Sequence, residues 1–211
     1  MRIVQIIDSL EIGGAERMAV NYANALSKKI EFSGLIATRK EGLLKNKIND
    51  NVSYLFLKKN GAIDLASIFR LRKFIKGNNV SHIHAHSSSF FLSVLLKLTL
   101  PKVKIIWHDH YGISQDLASR KNIILKLSSY FFTGIIAVNS ALKDWAKTYL
   151  LNSKVIYFPN FIDFSNDDAE KIELNGYEGE RIICVANLRP QKNHKLLLEA
   201  ASVVINKYPD W

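Results

Sequence analysis

Short apolar runs alternate with helix-period segments along most of the 211 residues, and this alternation restricts the fold more than any single motif does. The runs 2–7, 32–37, 53–57, 82–86, 103–107, 134–138 and 155–158 are rich in Ile, Val, Ala and aromatic residues. Strands covered on both faces read this way, because neither side can be left polar. Between them, 15–28, 43–49, 63–76, 88–98, 119–131 and 141–150 repeat apolar residues at three- and four-residue intervals, which predicts helices. Strand–helix alternation of this kind predicts an α/β fold: a Rossmann-like parallel sheet with helices on both faces. Ligands bind such sheets beyond the carboxyl ends of the strands, so the residues after each run are the first functional candidates.

The alternation breaks after residue 160. Asp163, Asn166, Asp167, Asp168, Glu170, Glu173, Gly176 and Gly179 make an acidic, turn-prone stretch. It predicts a linker at 164–179 between a first domain, 1–163, and a remainder, 180–211. That remainder holds one more apolar run, 181–184, and a helix over 195–208. About 30 residues cannot bury a stable core alone. The helix face of Leu196, Leu197, Ala200, Val203 and Val204 is therefore expected to need a partner surface. Pro209-Asp210-Trp211 reads as the turn that leads into a further strand, so 180–211 is expected to be a fragment of a second domain.

Hydrophobic residues make up 48% of the chain, enough for a core and against wholesale disorder. The one cysteine, Cys184, falls in the apolar run 181–184; it permits no internal disulfide and suits a reduced, cytoplasmic setting. The N-terminal run is too short for a signal peptide, and no apolar stretch reaches the roughly 20 residues of a membrane span. The net charge of +10 fits an anionic membrane surface better than nucleic acid. The basic residues are not interleaved with aromatic ones, and no nucleic-acid motif occurs. Segment 63–76 sets Ile63, Leu65, Ile68, Phe69, Leu71 and Ile75 beside Arg70, Arg72, Lys73 and Lys76. That pattern describes a helix lying on anionic lipid, and equally a core-facing helix with a solvated face.

Several constellations follow strand ends. Ile12-Gly13-Gly14-Ala15-Glu16-Arg17 follows the first run; its glycines admit close backbone approach and the helix start offers free N–H groups to an anion. It lacks the GxGxxG spacing of a dinucleotide site. His82, His84 and His86 alternate along one strand, a row of about 13 Å that is too long to converge on one ion. His82 and His84 are expected to pack within the sheet, while His86, followed by Ser87, Ser88 and Ser89, faces the cleft. Trp107-His108-Asp109-His110-Tyr111-Gly112 places two histidines and a carboxylate at the next strand end, where imidazole can bond a hydroxyl near neutral pH. Val138-Asn139-Ser140 marks a helix start with Ser140 as the expected N-cap. Phe158-Pro159-Asn160-Phe161-Ile162-Asp163 is placed to act as a hinge. Val185-Ala186-Asn187-Leu188-Arg189-Pro190-Gln191-Lys192-Asn193-His194 forms a basic turn that opens a helix, a phosphate signal with Lys192 at its centre. Neither a Gly-x-Ser-x-Gly elbow nor a Walker loop is present.

Taken in order, Gly13-Gly14-Ala15-Glu16, His84-Ala85-His86-Ser87, Trp107-His108-Asp109-His110, Ala137-Val138-Asn139-Ser140, Pro159 to Asp163 and Asn187 to Asn193 resemble the retaining family 4 glycosyltransferases of GT-B architecture. The resemblance implies two Rossmann-like domains. The first, 1–163, holds the acceptor and the second holds a nucleoside-diphosphate sugar; a hexosyl unit moves to a glycan or lipid-linked acceptor with retention. It implies no cofactor and no metal, with His108 at the transferred sugar. Gly13, Gly14, Lys192 and Arg189 then face the donor phosphates, and Glu16, His86, His110 and Asn139 the acceptor. Two departures stand out: Asn187 replaces the arginine common at that position, and the family's later Glu-x7-Glu motif has no counterpart in these residues. The chain is accordingly expected to be truncated within the donor domain and inactive alone. Surface-polysaccharide synthesis at the inner membrane face is the implied setting, with an anionic membrane surface, or a second chain supplying the missing domain, as further partners. Two alternatives stay open: a non-catalytic acceptor-binding domain or half of a split enzyme, and a metal-dependent hydrolase using His86, His108 and His110.

Overall fold

The computed structural model describes residues 1–112, 117, 120, 123–161, 177, 179, 181–186, 188 and 192–208. The chain divides into two compact units, Met1–Ser165 and Asn166–Trp211.

All seven apolar runs of the first unit become strands: β1 (Arg2–Ser9), β2 (Phe32–Lys40), β3 (Ser53–Phe56), β4 (His82–His86), β5 (Lys104–Asp109), β6 (Gly134–Ala137) and β7 (Val155–Tyr157). They form one parallel sheet in the order β3-β2-β1-β4-β5-β6-β7. The chain winds outward from β1 to β3, then returns to lay β4 on the other side of β1. The β1–β4 boundary is therefore the point where strand order reverses, and the loops beyond it diverge to leave a crevice. The connecting helices are α1 (Gly14–Ser27), α2 (Leu65–Gly77), α3 (Phe90–Thr99), α4 (Ile123–Ser129) and α5 (Ser140–Tyr149).

Alternation along the strands assigns their two faces. Ile83 and Ala85 of β4 and Ile105 and Trp107 of β5 pack with Leu71, Ile75, Leu92, Leu96, Leu125 and Trp145 from the helices α2 to α5. The intervening residues, His84, His86 and His108, belong to the opposite face, where Tyr22 of α1 meets them. A second apolar cluster joins Ala19, Val20 and Ala23 of α1 to Ile7, Leu35 and Ala37.

Four local expectations change. Segment 43–49 forms a 3₁₀ helix, Leu43–Lys47, in which Leu44 alone is buried; one anchor does not sustain a longer amphipathic face. The N-cap of α5 is Asn139, not Ser140. The Asn139 Oδ1 accepts the Leu142 N–H at 2.8 Å, and Ser140 is the first helical residue. Residues 181–186 form no strand, and Cys184 is exposed rather than inside a core strand. A strand needs a ladder partner for its N–H and C=O groups, and the described residues of the second unit offer none. The helix expected there does form, as α6 (His194–Lys207), with none of its residues buried. The acidic stretch through Gly176, with the hinge residues Ile162 and Asp163, lies outside the described residues.

Replacing Asn139 with Ala removes a cap bond worth about 1 kcal/mol, whereas Ser140→Ala costs a few tenths at most. Urea unfolding of the two variants checks which residue carries the cap.

Candidate functional site

The crevice at the strand reversal is built from β1 and its neighbours. Gly13 is the extended N-cap of α1 and makes no side-chain cap bond, so the first N–H groups of the helix remain available. The Glu16 carboxylate folds back over Gly13, and a Cβ at that position would overlap it. At the end of β1, Asp8 accepts hydroxyl hydrogen bonds from Thr38 and Ser88, both at 2.6 Å, with the Arg39 guanidinium at 4.0 Å. Asp8 carried no signal in the sequence, since a lone aspartate after a strand resembles any turn residue.

Beside this loop lies a cluster of histidines. The residues His86 and His108 pair in register across β4 and β5. Ring centroids are 4.4 Å apart for His84–His86, 5.1 Å for His84–His108 and 5.3 Å for His86–His108. His110 follows at 4.0 Å from His108 and 5.2 Å from His86. The expected row along one strand is thus only part of the arrangement: the neighbouring strand brings a third ring in, while His82 stands apart with its Nδ1 2.8 Å from the Ser81 hydroxyl.

The cluster is sealed. His86 and His108 have no exposed surface, and His84 is 5% exposed. Tyr22 lies edge-on to His84 and His108 at 4.9 and 5.6 Å. Phe161 packs on Tyr22 at 5.0 Å, its carbonyl accepting a 3.1 Å bond from the Asn21 amide. His108, assigned by resemblance to the transferred sugar, therefore sits beneath Tyr22 and not on an open wall. Its two ring nitrogens, together with His84 Nε2 and Gln5 Nε2, have no hydrogen-bond partner. The Gln5 carbonyl oxygen lies 2.9 Å from His86 Nε2, which must then carry the proton. His86 Nδ1 is left as the acceptor for the His110 Nε2–H at 3.0 Å. Gln5 escaped the sequence reading, although a glutamine inside an apolar run is a visible anomaly.

Burial holds these rings neutral. Desolvation, then the neighbouring His110 ring, lowers His84 to about 3, and desolvation lowers His110 to about 4. The same causes hold His86 and His108 well below the usual imidazole range.

On the opposite face of β5 a buried ion pair closes the following loop. Arg120 donates to both Asp109 oxygens, at 2.7 and 3.0 Å, and the Tyr111 N–H bonds the same carboxylate at 3.1 Å. The guanidinium also lies 4.1 Å from the Trp145 ring and 4.4 Å from that of Tyr111. A planar cation suits this packing where a lysine would not. Asp109, Tyr111 and Arg120, with Ser88, Trp107 and His110, line a cavity of about 1190 Å³. Asn139 lies at the next strand end, its carbonyl oxygen engaged by the α5 cap.

In the second unit, Lys192 is exposed just before Asn193, which adopts a left-handed conformation (φ 45°) and caps α6 through the Leu196 N–H. Arg189 and Asn187 lie outside the described residues.

The model of Glycosyltransferase Family 4 matches residues 12–166. An uncharacterized glycosyltransferase of Haemophilus influenzae is 26% identical over 214 residues, covering 94% of this chain and 56% of its own length. Among solved structures, a glycosyltransferase from Rickettsia africae matches with TM-score 0.56 and 17% identity over 77% of this chain and 43% of its own. Anabaena Alr3699/HepE, solved with UDP and glucose, matches with TM-score 0.56 and 13% identity, covering 77% and 45%. The fold is thus the Rossmann-like α/β fold seen in GT-B glycosyltransferases. The chain spans about half the length of the relatives it matches.

The neutral histidines set an acid limit on stability. An imidazole whose folded value lies below its unfolded value of about 6.5 takes its proton more readily in the unfolded chain. Stability is then full above about pH 6.5 and falls with pH through the window down to the folded value, by up to about 1.4 kcal/mol per pH unit for each group. For His84 and His110 the window closes at about 3 and about 4. Denaturant unfolding between about pH 7 and pH 4 should therefore show stability rising with pH, with a shallower slope in His84→Asn.

Proposed function

The chain belongs to glycosyltransferase family 4, and on that basis we propose that it forms the acceptor-binding half of a sugar-nucleotide-dependent glycosyltransferase, with a fragment of the donor half. The observation that carries this is the uncapped Gly13–Gly14 helix start at the strand reversal, with the histidine cluster alongside. Free N–H groups at a helix N-terminus suit a diphosphate. Lys192 and Arg189 add the full charge that stabilises a departing nucleoside diphosphate. UDP in the Anabaena relative supports a nucleoside diphosphate as the leaving group.

In the proposed reaction the bond between the sugar's anomeric carbon and the phosphate oxygen breaks. A bond from the acceptor hydroxyl forms on the same face, and the hydroxyl proton passes to the leaving diphosphate. His108 meets the transferred sugar once the Tyr22 ring swings aside. Glu16, His110 and Asn139 face the acceptor, a glycan or lipid-linked glycan in surface-polysaccharide synthesis, and the buried His86 acts from behind them through the 3.0 Å contact of its Nδ1 with His110. No cofactor or metal takes part in this transfer, and neither nucleic acid nor hydrolysis belongs to it.

Nucleoside diphosphate binding to the 211-residue chain, followed by calorimetry, should weaken roughly 10- to 100-fold in Lys192→Ala, the loss of one charge-assisted contact. Unchanged affinity would remove Lys192 from the site. Transfer by the chain alone is expected to be slight; vigorous turnover of a nucleotide-sugar would overturn the half-site reading.

A cytoplasmic position against the inner membrane face is part of the same proposal. Among the described residues no helix is long and apolar enough to cross a membrane. The α2 segment exposes Ile63, Leu65 and Phe69 beside Arg70, Lys73 and Lys76. Each basic residue near an anionic bilayer contributes about 1 kcal/mol. Sedimentation with phosphatidylglycerol-containing vesicles should pull the chain down at low salt and release it at high salt. Leu65→Ser with Phe69→Ser should abolish the effect. Equal binding to neutral phosphatidylcholine vesicles would count against it.

A further inference from the structure

We propose that His84, His86 and His108 form a binding site for one borderline transition-metal ion of the zinc, cobalt or nickel class. The site rests on the buried cluster alone and does not depend on the proposed transfer reaction.

Geometry is the first support. Each of the three residues offers a ring nitrogen, and the three nitrogens lie within 4.8 Å of one another. Three imidazoles on a tetrahedral ion, with metal–nitrogen bonds of about 2.0–2.1 Å, hold their ring centroids roughly 5 Å apart. The observed centroid separations are 4.4, 5.1 and 5.3 Å. The planes of His84 and His108 differ by 3°, so these two rings turn slightly for their lone pairs to meet on one point. Ligand nitrogens on such an ion stand about 3.3 Å apart, so nitrogens now within 4.8 Å of one another close by at most about 1.5 Å on binding.

Unmet bonding capacity is the second. His84 Nε2 and both nitrogens of His108 are buried with no hydrogen-bond partner. Buried polar atoms are almost always satisfied, and an orphaned lone pair calls for an ion or water. His86 is prepared differently. Its Nε2–H donates to Gln5 Oε1 at 2.9 Å, which fixes the tautomer and presents the Nδ1 lone pair. A metal-bound histidine commonly donates its other N–H to such an outer acceptor. The ion then displaces the His110 N–H from His86 Nδ1.

Chemistry is the third. A set of three neutral imidazoles is a known zinc set that leaves a fourth coordination position open. Imidazole nitrogen selects zinc, cobalt or nickel over magnesium or calcium, which want oxygen. An ion held here would occupy His108 and tie it to β4. Its binding and any contact of His108 with a sugar would then exclude one another.

The test is titration of the full metal-free chain with cobalt(II), reading the visible absorption of a tetrahedral histidine complex. One equivalent should bind, and zinc should displace it. Binding should be lost in His84→Asn and in His108→Asn, fall roughly 10- to 100-fold in Gln5→Ala, and persist in His82→Asn. Circular dichroism establishes that each variant is folded. If a histidine variant does not fold, imidazole NMR of the wild type decides: cobalt should broaden the His84, His86 and His108 signals first. The absence of a tetrahedral spectrum, undiminished binding in both histidine variants, or broadening centred on His82 or His194 overturns the site.

Discussion

Everything at the candidate site depends on β4 being clamped in parallel register between β1 and β5. That pairing sets Gln5 opposite His84 and His86 opposite His108. It sends Ile83, Ala85, Ile105 and Trp107 into the larger core and turns the histidines the other way. A one-residue slip of β4 would exchange the faces, burying imidazoles among leucines and turning the β4 isoleucine toward Tyr22. The apolar side of these strands thus determines where the polar side goes.

The same clamp explains why the cluster is neutral and closed. His84, His86 and His108 share a space walled by Tyr22, and taking a charged ring out of water costs more than the cluster can return. The site keeps lone pairs in place of charges. The positive charge lies elsewhere, in the exposed basic residues of α2 and of the 192–195 turn.

Much of the fold was legible because parallel strands leave a strong record. Seven apolar runs gave seven strands with small shifts at their ends, and the order of strand and helix held throughout the first unit. The failures have a common cause. Segment 181–184 has strand composition but forms no strand, and 43–49 has helix spacing but one buried anchor. Composition states a preference, and a tertiary partner decides whether it is realised. At α5 the competition was between two good caps, and backbone geometry at Asn139 settled it.

By itself the sequence determined the fold class, the positions of the loops that end the strands, and the family, since these follow from local periodicity and motif order. Only the tertiary structure decided which residues meet. Gln5 and His86, 81 positions apart, share a hydrogen bond, and Asn21 holds Phe161 over Tyr22 across 140 positions. It also decided that His86, which the sequence reading set facing the cleft, has no exposed surface, and that His108 lies buried under an aromatic ring. Local periodicity reports which face a side chain takes on its own strand. The register of the neighbouring strand and the helix laid over it are long-range choices, and they set the burial on which the chemistry of an imidazole depends.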